Sequence, residues 1–211
     1  MSSRSEEANP APPLPPQNSI TSQGPVAPLK NKVRIIGGEW RSRIISLPER
    51  IDLRPTPDRV RETVFNWLGQ DLTGQSCLDL FAGSGAMGFE AASRGASQVV
   101  MVESDPQVVN SLKTNIDKLE AKQIRLVPTD ALKFIDSVPQ QFDVRFDIIF
   151  ADPPYRLDLF PRLLPKLSPH LAEDGLLYVE NASFFAPGPG WVVWRKGRAG
   201  GAHYQLLRKN G

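Results

Sequence analysis

The spacing of apolar positions changes several times along the chain, and these changes predict alternating strands and helices. Five short apolar runs lie between residues 77 and 181, and stretches with helical spacing follow the first four. This alternation indicates a mostly parallel sheet with helices on both faces, and near-continuous apolar strands fit such burial. The runs are CLDLF, QVVMVES, IRLVPTD, FDIIFAD and GLLYVEN, and the helices are predicted to end near Arg94 and to cover 106–121, ALKFIDSV and 158–171.

Both ends of the chain depart from this alternation. WVVWRK and HYQLLRK are separated only by the glycine-rich GRAGG, so they predict an antiparallel hairpin at the edge of a seven-stranded sheet. VRIIGG and RIISLP predict a smaller hairpin around Gly37, Gly38 and Trp40. A helix should follow, with Thr56 as its N-cap and Pro57 in its first turn.

The chain divides into three predicted regions. Residues 1–29 contain seven of the twenty prolines and few large apolar side chains, so 1–31 is predicted to be a disordered or polyproline-like tail. Residues 32–70 are predicted to form a hairpin-plus-helix extension, and residues 71–211 the main α/β domain.

Composition narrows the class of protein. The sequence has no apolar run of ~18 residues, as a membrane helix needs, and no signal-peptide pattern, so a cytoplasmic protein is expected. The single cysteine, Cys77, fits a reducing compartment and, because it starts a strand, a buried core thiol. His170 and His203 are not accompanied by clustered thiols, so no metal site is expected.

Charge is distributed unevenly, although the net charge is only +2. Residues 30–68 carry a net +4, residues 191–211 a net +5 without any acid, and the segment between them a net −6. Basic ends around an acidic middle indicate a nucleic-acid footprint outside the central fold. Solvated surface charges would give the same counts, so charge alone leaves both interpretations open.

Four consecutive strand ends carry glycine or carboxylates. Ligands of a parallel sheet bind beyond the carboxyl ends of its strands, and here these ends are Ala82–Gly85, Glu103, Asp130 and Asp152. Turn chemistry explains one or two such residues, but less easily all four. The sequence therefore predicts a ligand pocket along this edge of the sheet.

The first strand end carries a nucleotide-binding pattern. Gly83, Gly85 and Gly88 match G-x-G-x-x-G, and Glu103 lies where that motif places an acid for ribose hydroxyls. The motif alone fits nicotinamide cofactors and S-adenosylmethionine alike.

Three features favour S-adenosylmethionine. Asp79 lies just ahead of the glycine loop, where an acid would attract a cationic ligand and repel a pyrophosphate. Asp130 is placed to accept a hydrogen bond from an adenine amine, with Ala131 beside it. The fourth strand ends in DPPY (152–155), for which a dehydrogenase has no evident use.

DPPY suits the exocyclic amine of a base as methyl acceptor. Ionised Asp152 and the carbonyl of Pro153 can accept the two N–H groups and so turn the nitrogen lone pair toward a methyl donor. Proline has a locked φ and no competing N–H. Tyr155 can stack on the base, which is worth ~1–3 kcal/mol for an aromatic ring, provided that the base is flipped or lies in a loop.

Five segments together carry a more specific pattern: GGEWRSR (37–43), LRPTPDRVRETVFNWL (53–68), DLFAGSGAMGFEAASRGA (79–96), VESD (102–105) and ADPPY (151–155). They resemble the bacterial 16S ribosomal RNA guanine-N2 methyltransferases of the RsmD family. RPTPDRVRETVFNWL decides this choice, because the glycine loop and DPPY occur in many methyltransferases. The resemblance runs from about Val33 to the C-terminus and leaves out the proline-rich tail.

This resemblance implies a class I, Rossmann-like methyltransferase with S-adenosylmethionine as donor. The acceptor would be the N2 amine of one guanine in 16S ribosomal RNA, in an assembled or assembling small subunit, and a monomer is expected. The catalytic role falls on Asp152, Pro153, Pro154 and Tyr155, where the family more often has Phe at the last position. The cofactor role falls on Asp79, Phe81, Ala82, Gly83, Ser84, Gly85, Glu103, Ser104, Asp130 and Ala131. The RNA side is expected at Arg34, Arg41, Arg43, Arg54, Thr56 and Arg59.

Other functions stay open on the residues alone. DPPY also suits the N6 amine of adenine in RNA or DNA, the glycine loop suits a nicotinamide-dependent oxidoreductase, and an RNA-binding protein with an inactive core is a third possibility. Thr56 fits a plain helix cap, Arg59 and Arg61 fit solvated helix charges, and the tryptophans of WVVWRK fit strand packing. Glu180, at the end of the fifth strand, lies too far along the sheet to assign.

Overall fold

The structure, a computed structural model, describes residues 31–48, 55–141, 145–154 and 159–210. Most of the predicted tail and two predicted site residues, Arg54 and Tyr155, lie outside these ranges. The strands are β1 (Lys32–Arg34), β2 (Ile44–Ser46), β3 (Ser76–Asp79), β4 (Gln98–Glu103), β5 (Ile124–Pro128), β6 (Phe146–Ala151), β7 (Leu171–Asn181), β8 (Trp191–Ala199) and β9 (Ala202–Lys209). The helices are α1 (Asp58–Leu68), α2 (Ala86–Ser93), α3 (Pro106–Leu119), α4 (Ala131–Gln141) and α5 (Phe160–Leu167).

The central sheet has seven strands in the order β5-β4-β3-β6-β7-β9-β8. Strands β3 to β7 pair in parallel, whereas β9 pairs antiparallel with both β7 and β8. The predicted α/β fold and its C-terminal edge hairpin are therefore confirmed, with β8 as the edge strand. From β3 the chain proceeds to β4 on one side and later returns to β6 on the other, and such a reversal opens a crevice at the carboxyl ends of the strands.

An apolar core lies on each face of the sheet. One core contains α4 and α5, with Phe134 and Leu163 as buried members. The other contains α2 and α3, and it also includes Val33 of the small hairpin and Phe65 of α1. Cys77 is buried as predicted, and burial raises the pKa of its thiol. None of the helices in the described part of the chain has the length and apolar character that a membrane crossing requires.

Helix α1 begins one residue later than predicted. Pro57 occupies the N-cap position with an extended backbone (ψ 147°), and no side chain caps the helix there. The prediction that Thr56 caps α1 is wrong, because the extended Pro57 separates Thr56 from the first helical turn. Thr56 is buried instead.

A buried ion cluster, formed by Arg61, Glu90 and Arg94, fastens the small hairpin and α1 to α2. Arg61 and Glu90 have no exposed surface, and Arg61 Nη1 donates to Glu90 Oε2 at 3.1 Å. Glu90 Oε1 accepts from Arg94 Nη2 at 2.8 Å. The backbone N–H groups of Ile36 and Gly37 also donate to Glu90, at 2.9 and 2.7 Å. Arg61 is therefore not a solvated helix charge, and that interpretation was wrong because its partner comes from another element.

Arg61 also fixes the segment that precedes α1. Its Nε donates to the carbonyl oxygen of Thr56 at 3.2 Å, and its Nη2 donates to the carbonyl oxygen of Arg34 at 2.8 Å. Nη2 forms a further ion pair with Asp58 at 2.7 Å. A single buried guanidinium thus sets the position of residues 56–58 relative to β1.

The turn of the small hairpin requires glycine where it meets the end of α2. Gly38 has φ +74°, and a Cβ there would lie 1.8 Å from the carbonyl oxygen of Ser93. The hydroxyl of Ser93 accepts the N–H of Trp40 at 2.9 Å and donates to the carbonyl of Gly37 at 2.6 Å. The hairpin therefore packs backbone against backbone on α2, which a side chain at position 38 would prevent.

Candidate active site

A cavity of about 1100 Å³ lies at the carboxyl ends of β3, β4, β5 and β6. Its remaining walls come from elements distant in sequence, namely the segment 55–57 before α1, the end of β7 and the tip of the β8–β9 hairpin at 199–202. The segment before α1 and the tip of the β8–β9 hairpin therefore close one side of the crevice that the strand order creates.

The glycine loop between β3 and α2 forms the floor of the cavity. Gly83 and Gly85 both have positive φ, 47° and 74°. A Cβ on Gly85 would lie 2.7 Å from Leu112 and from the ring of Phe89, and a Cβ on Gly88 would lie 2.4 Å from Met101. Every residue predicted to bind the cofactor lines the cavity except Gly85, which instead occupies the N-cap position of α2.

Glu103 joins the loops that follow β3 and β4. Its Oε2 accepts the N–H of Gly83 at 2.9 Å, and its Oε1 accepts the N–H groups of Ser104 and Asp105, both at 2.8 Å. These bonds fix the orientation of the carboxylate at the cavity wall.

Asp79 is a buried carboxyl group inside the cavity wall. Only 4% of the residue is exposed, and Oδ2 accepts the N–H of Gly88 at 3.0 Å. The pKa of Asp79 is raised to about 7: burial raises it most, the hydrogen bond from Gly88 lowers it, and the charge of Glu103 raises it. Near neutral pH both protonation states are therefore populated, and a cationic ligand would favour the ionised form.

Asp130 has a structural role at its strand end as well as a place in the cavity. Its Oδ1 accepts the N–H groups of Leu132 and Lys133, each at 3.0 Å, so it caps α4. The other carboxylate oxygen remains for a ligand, and the exposed position of Asp130 at the cavity rim permits both roles.

Asp152 lies beside a second carboxylate, Glu180, on the neighbouring strand. Ala151 pairs with Val179 in the parallel β6–β7 register, so the residues that follow them lie next to each other, ~4.8 Å apart across the strands, and point to the same face. Glu180 is 5% exposed and lines the cavity with Asp152 and Pro153. Burial, Glu180 and Asp79, in that order, raise the pKa of Asp152 well above its usual range.

Tyr178, which is packed among other aromatic residues, holds Glu180 in place. The hydroxyl of Tyr178 donates to Glu180 Oε2 at 2.7 Å. The Tyr178 ring lies 6.2 Å from that of Phe150 and 6.5 Å from that of Tyr204. The sequence interpretation missed Glu180 as a site residue, because only the pairing of β7 with β6 brings it level with Asp152.

The cavity lining is strongly acidic. It includes six carboxylates, and the lining residues that the structure describes include no Lys, Arg or His. A pyrophosphate would be repelled in such a place, whereas a cationic ligand would be attracted. The carboxylates are Asp79, Glu103, Asp105, Asp130, Asp152 and Glu180.

The residues predicted for the RNA side that the structure describes do not gather in one place. Thr56 lines the cavity, and Arg59 is exposed on α1 close to it. Arg34 is exposed and pairs with Asp58 at 3.2 Å. Arg41 lies in a separate cleft with Arg94, at the opposite end of α2 from the glycine loop, roughly 12 Å away for eight helical residues at 1.5 Å each. Arg43, in the same turn as Arg41, is also exposed.

The sequence and the fold match proteins of one family. The family model described as "Conserved hypothetical protein 95" matches residues 33–208. The ribosomal RNA small subunit methyltransferase D of Escherichia coli is 39% identical over 184 residues, which are 84% of this chain and 90% of the relative. The chain belongs to the family of the ribosomal RNA small subunit methyltransferase D.

One further relative and one solved structure agree with this assignment. The ribosomal RNA small subunit methyltransferase D of Haemophilus influenzae is 37% identical over 85% of this chain and 95% of its own length. A solved structure from Escherichia coli, assigned to the methyltransferases, has a TM-score of 0.74 and 39% identity, covering 84% of this chain and 98% of that one. The predicted methyltransferase D family and the methyltransferase fold are therefore confirmed.

Proposed function

We propose that the protein transfers a methyl group from S-adenosylmethionine to the exocyclic N2 amine of a guanine in 16S ribosomal RNA. The observation that carries this proposal is the pair Asp152 and Glu180, two neighbouring carboxylates in an acidic cavity beside a glycine loop. The partner is small-subunit ribosomal RNA in an assembled or assembling particle, met in the cytoplasm by a monomeric enzyme.

The residues present fit S-adenosylmethionine. Its sulfonium and ammonium groups are cationic, and the cavity offers six carboxylates. Glu103 would hold the ribose hydroxyls, Asp130 with Ala131 would hold the adenine, and Asp79 would face the cationic amino-acid end. When bound, the donor supplies a methyl group already activated by the sulfonium. The same acidic lining disfavours a nicotinamide cofactor, which carries a pyrophosphate.

The chain's own contribution is to position the amine and to take up a proton. Asp152 and the carbonyl of Pro153 accept the two N–H groups of the amine, so that the nitrogen lone pair faces the methyl group; positioning of this kind is a large part of enzymatic rate enhancement. After methyl transfer the nitrogen is cationic and must lose a proton. Because burial and Glu180 raise the pKa of Asp152, its carboxylate is a stronger base than an ordinary aspartate.

Glu180 favours guanine over adenine as the acceptor base. Next to its N2 amine, guanine presents a second donor, N1–H, whereas adenine presents an acceptor, N1, next to its N6 amine. Two adjacent carboxylates match two adjacent donors, and the oxygen lone pairs of Glu180 would repel the adenine N1 lone pair. The aromatic support and the bond from Tyr178 hold Glu180 in position for this contact.

The proposed reaction is tested by offering radiolabelled donor to naked 16S RNA, small-subunit particles and DNA in parallel, followed by mass spectrometry of the digested nucleosides. We expect label in RNA, as N2-methylguanosine. Recovery of N6-methyladenosine, or label in DNA alone, would contradict the guanine assignment. Stabilisation by NADH but not by S-adenosylhomocysteine in a thermal-shift assay would contradict the choice of cofactor.

Replacement of Glu180 by glutamine should relax the choice of base. We expect the wild type to prefer guanine over 2-aminopurine, which keeps the N2 amine but lacks N1–H, by roughly 10- to 150-fold, because a hydrogen bond to a charged group is worth ~1.5–3 kcal/mol. In Glu180→Gln this ratio should shrink, since the amide N–H can face the 2-aminopurine N1. The measurement is kcat/KM on RNA carrying either base at the methylated position.

The matched control for that experiment is Glu173→Gln, an exposed carboxylate at the other end of the same strand. Its base preference should equal that of the wild type. Binding of S-adenosylhomocysteine checks that Glu180→Gln is folded. An unchanged guanine to 2-aminopurine ratio in a folded Glu180→Gln protein would refute the role of Glu180 in base choice.

A further inference from the structure

The large exposed apolar side chains of the described residues lie close together in sequence near the C-terminus. They are Phe184, Val192 and Trp194, with 41%, 37% and 36% of their surface exposed. The two aromatic rings each lie against a cation: Lys196 Nζ is 5.4 Å from the centroid of Phe184, and Arg195 Cζ is 4.7 Å from that of Trp194. We call Phe184, Trp194, Arg195, Lys196, Arg198 and His203, which lie on or beside both faces of the edge hairpin β8–β9, the C-terminal patch.

The backbone of β8 exposes Trp194 instead of burying it. The β8–β9 register shifts between Val193 and Arg195, so Trp194 is an extra residue without its own partner on β9. Such a bulge re-aims a side chain and is common beside functional sites. Trp191, earlier on the same strand, is buried as the strand-packing interpretation predicted, whereas Trp194 departs from it.

The second aromatic of the patch is exposed beside β9. Phe184 lies in the loop after β7, and the ring of His203 meets it edge-on at 4.8 Å. Lys196 contacts the same ring from β8. Phe184 therefore has polar neighbours on two sides and a free ring surface, which is unlike a side chain that packs into a core.

The charge of this region is of one sign. From Ala182 to the C-terminus the sequence contains five Lys and Arg residues and no Asp or Glu. The cavity beside it is lined by six carboxylates, which would repel an approaching phosphate backbone. The patch therefore supplies the attraction for a polyanion that the cavity lacks.

The patch continues to the mouth of the cavity. Residues 199–202 at the hairpin tip line the cavity. Next to that tip, Arg198 of β8 lies opposite His203 of β9 in the strand register. Along β8, Trp194 lies five residues from Ala199, roughly 17 Å at ~3.4 Å per residue. Arg195 lies on the face of the hairpin that carries Leu206, whereas Lys196 and Arg198 lie on the face that carries Gln205 and His203. Because β8 is the edge strand of the sheet, a nucleic-acid strand that passes over this edge, with its flipped base in the cavity, could contact both rings.

We propose that the C-terminal patch binds single-stranded RNA next to the methylated base, with unpaired bases stacked on Phe184 and Trp194 and phosphates paired with Lys196, Arg195 and Arg198. Aromatic rings beside cations form the common platform for single-stranded nucleic acids. The proposal rests on the RNA substrate proposed above and adds a binding site outside the cavity.

The test uses Phe184→Ala and Trp194→Ala in the full chain. Each variant should weaken the binding of a fluorescent 12-nucleotide oligouridine by about 5- to 150-fold, the range for loss of one base–aromatic stack. In methyl transfer to RNA, the same variants should raise KM more than they lower kcat. Lys196→Ala should reduce the slope of log affinity against log salt concentration by about one.

Two variants serve as matched controls. Val192→Ala removes an exposed apolar side chain on the same strand, and Arg125→Ala removes an exposed charge on β5, at the opposite edge of the sheet. Both should bind oligouridine as the wild type does.

Failure of the patch and failure of the proposed reaction give different results. Wild-type oligouridine affinity and KM in Phe184→Ala and Trp194→Ala would overturn the patch while the reaction stands. A concentration-dependent dimer that Trp194→Ala dissociates, with unchanged RNA affinity, would overturn it in favour of a self-association face. Oligouridine binding that falls as expected, in a protein that methylates no RNA, would support the patch and overturn the reaction.

Discussion

Asp152→Ala should lower kcat by roughly 10²–10⁴-fold, the usual contribution of a positioned general base. The variant loses an acceptor that orients the amine as well as a base for its proton, so the loss should lie at the upper end of this range. Binding of S-adenosylhomocysteine, measured by calorimetry, should persist, because the glycine loop and Glu103 are held by bonds that do not involve Asp152. Single-turnover methyl transfer to RNA measures the rate.

Asp152→Asn separates the two roles of this residue. The amide retains an oxygen acceptor but is not a base, so its kcat should lie between those of the wild type and Asp152→Ala. An exposed aspartate of β7, Asp174, provides the control, and Asp174→Ala should have wild-type kcat. Turnover at the wild-type rate in Asp152→Ala would refute the catalytic role of Asp152.

The pH dependence of kcat follows from the raised pKa of Asp152. Only the ionised carboxylate accepts a proton, and burial with the charges of Glu180 and Asp79 moves ionisation to higher pH than the ~3.9 of an ordinary aspartate. In the wild type, kcat should therefore rise with pH above the range in which ordinary carboxylates titrate. In Asp152→Asn this rise should be absent.

The second large effect is expected on stability, at the buried ion cluster. Glu90→Ala leaves the guanidinium groups of Arg61 and Arg94 buried without their carboxylate, and breaking a buried pair costs about 3–5 kcal/mol. For a chain of this size, that loss should lower the melting temperature by roughly 6–20 °C, at ~2–4 °C per kcal/mol. Calorimetry and urea unfolding of the same variant measure it.

A surface ion pair provides the contrast. Lys166 pairs with Asp136 where both side chains are largely exposed, so Lys166→Ala should cost no more than ~1 kcal/mol. Glu90→Gln keeps the volume of the side chain and removes its charge, so it should fall between the two. A melting temperature of Glu90→Ala equal to that of Lys166→Ala would show that the cluster does not hold the hairpin in place.

The sequence predicted the sheet and its glycine loop because both depend on local pattern. An apolar run followed by the glycine-rich AGSGAMG predicts a strand that leads into a tight turn, and Gly83 and Gly85 indeed adopt positive φ. The carboxylates at the ends of β4, β5 and β6 follow from the rule that parallel strands end at one edge. These features require no knowledge of which strands are neighbours.

The features that the sequence did not predict depend on neighbours that come from elsewhere in the chain. Glu180 becomes a site residue only because β7 pairs with β6, and strand order cannot be read from periodicity. Arg61 resembles an exposed helix charge until Glu90 of α2 is placed against it. Trp194 follows the pattern of a packed strand residue, and only the bulge in β8 turns it outward.

Helix α2 is enclosed along its whole length, since all eight of its residues are buried. One end carries the glycine loop, the other meets Gly38, and Glu90 lies between them, so no position on α2 faces water. In α3, by contrast, buried positions alternate with exposed ones. Over evolutionary time, AMGFEAAS should therefore be among the segments of this chain slowest to diverge, and the outer face of α3 among the fastest.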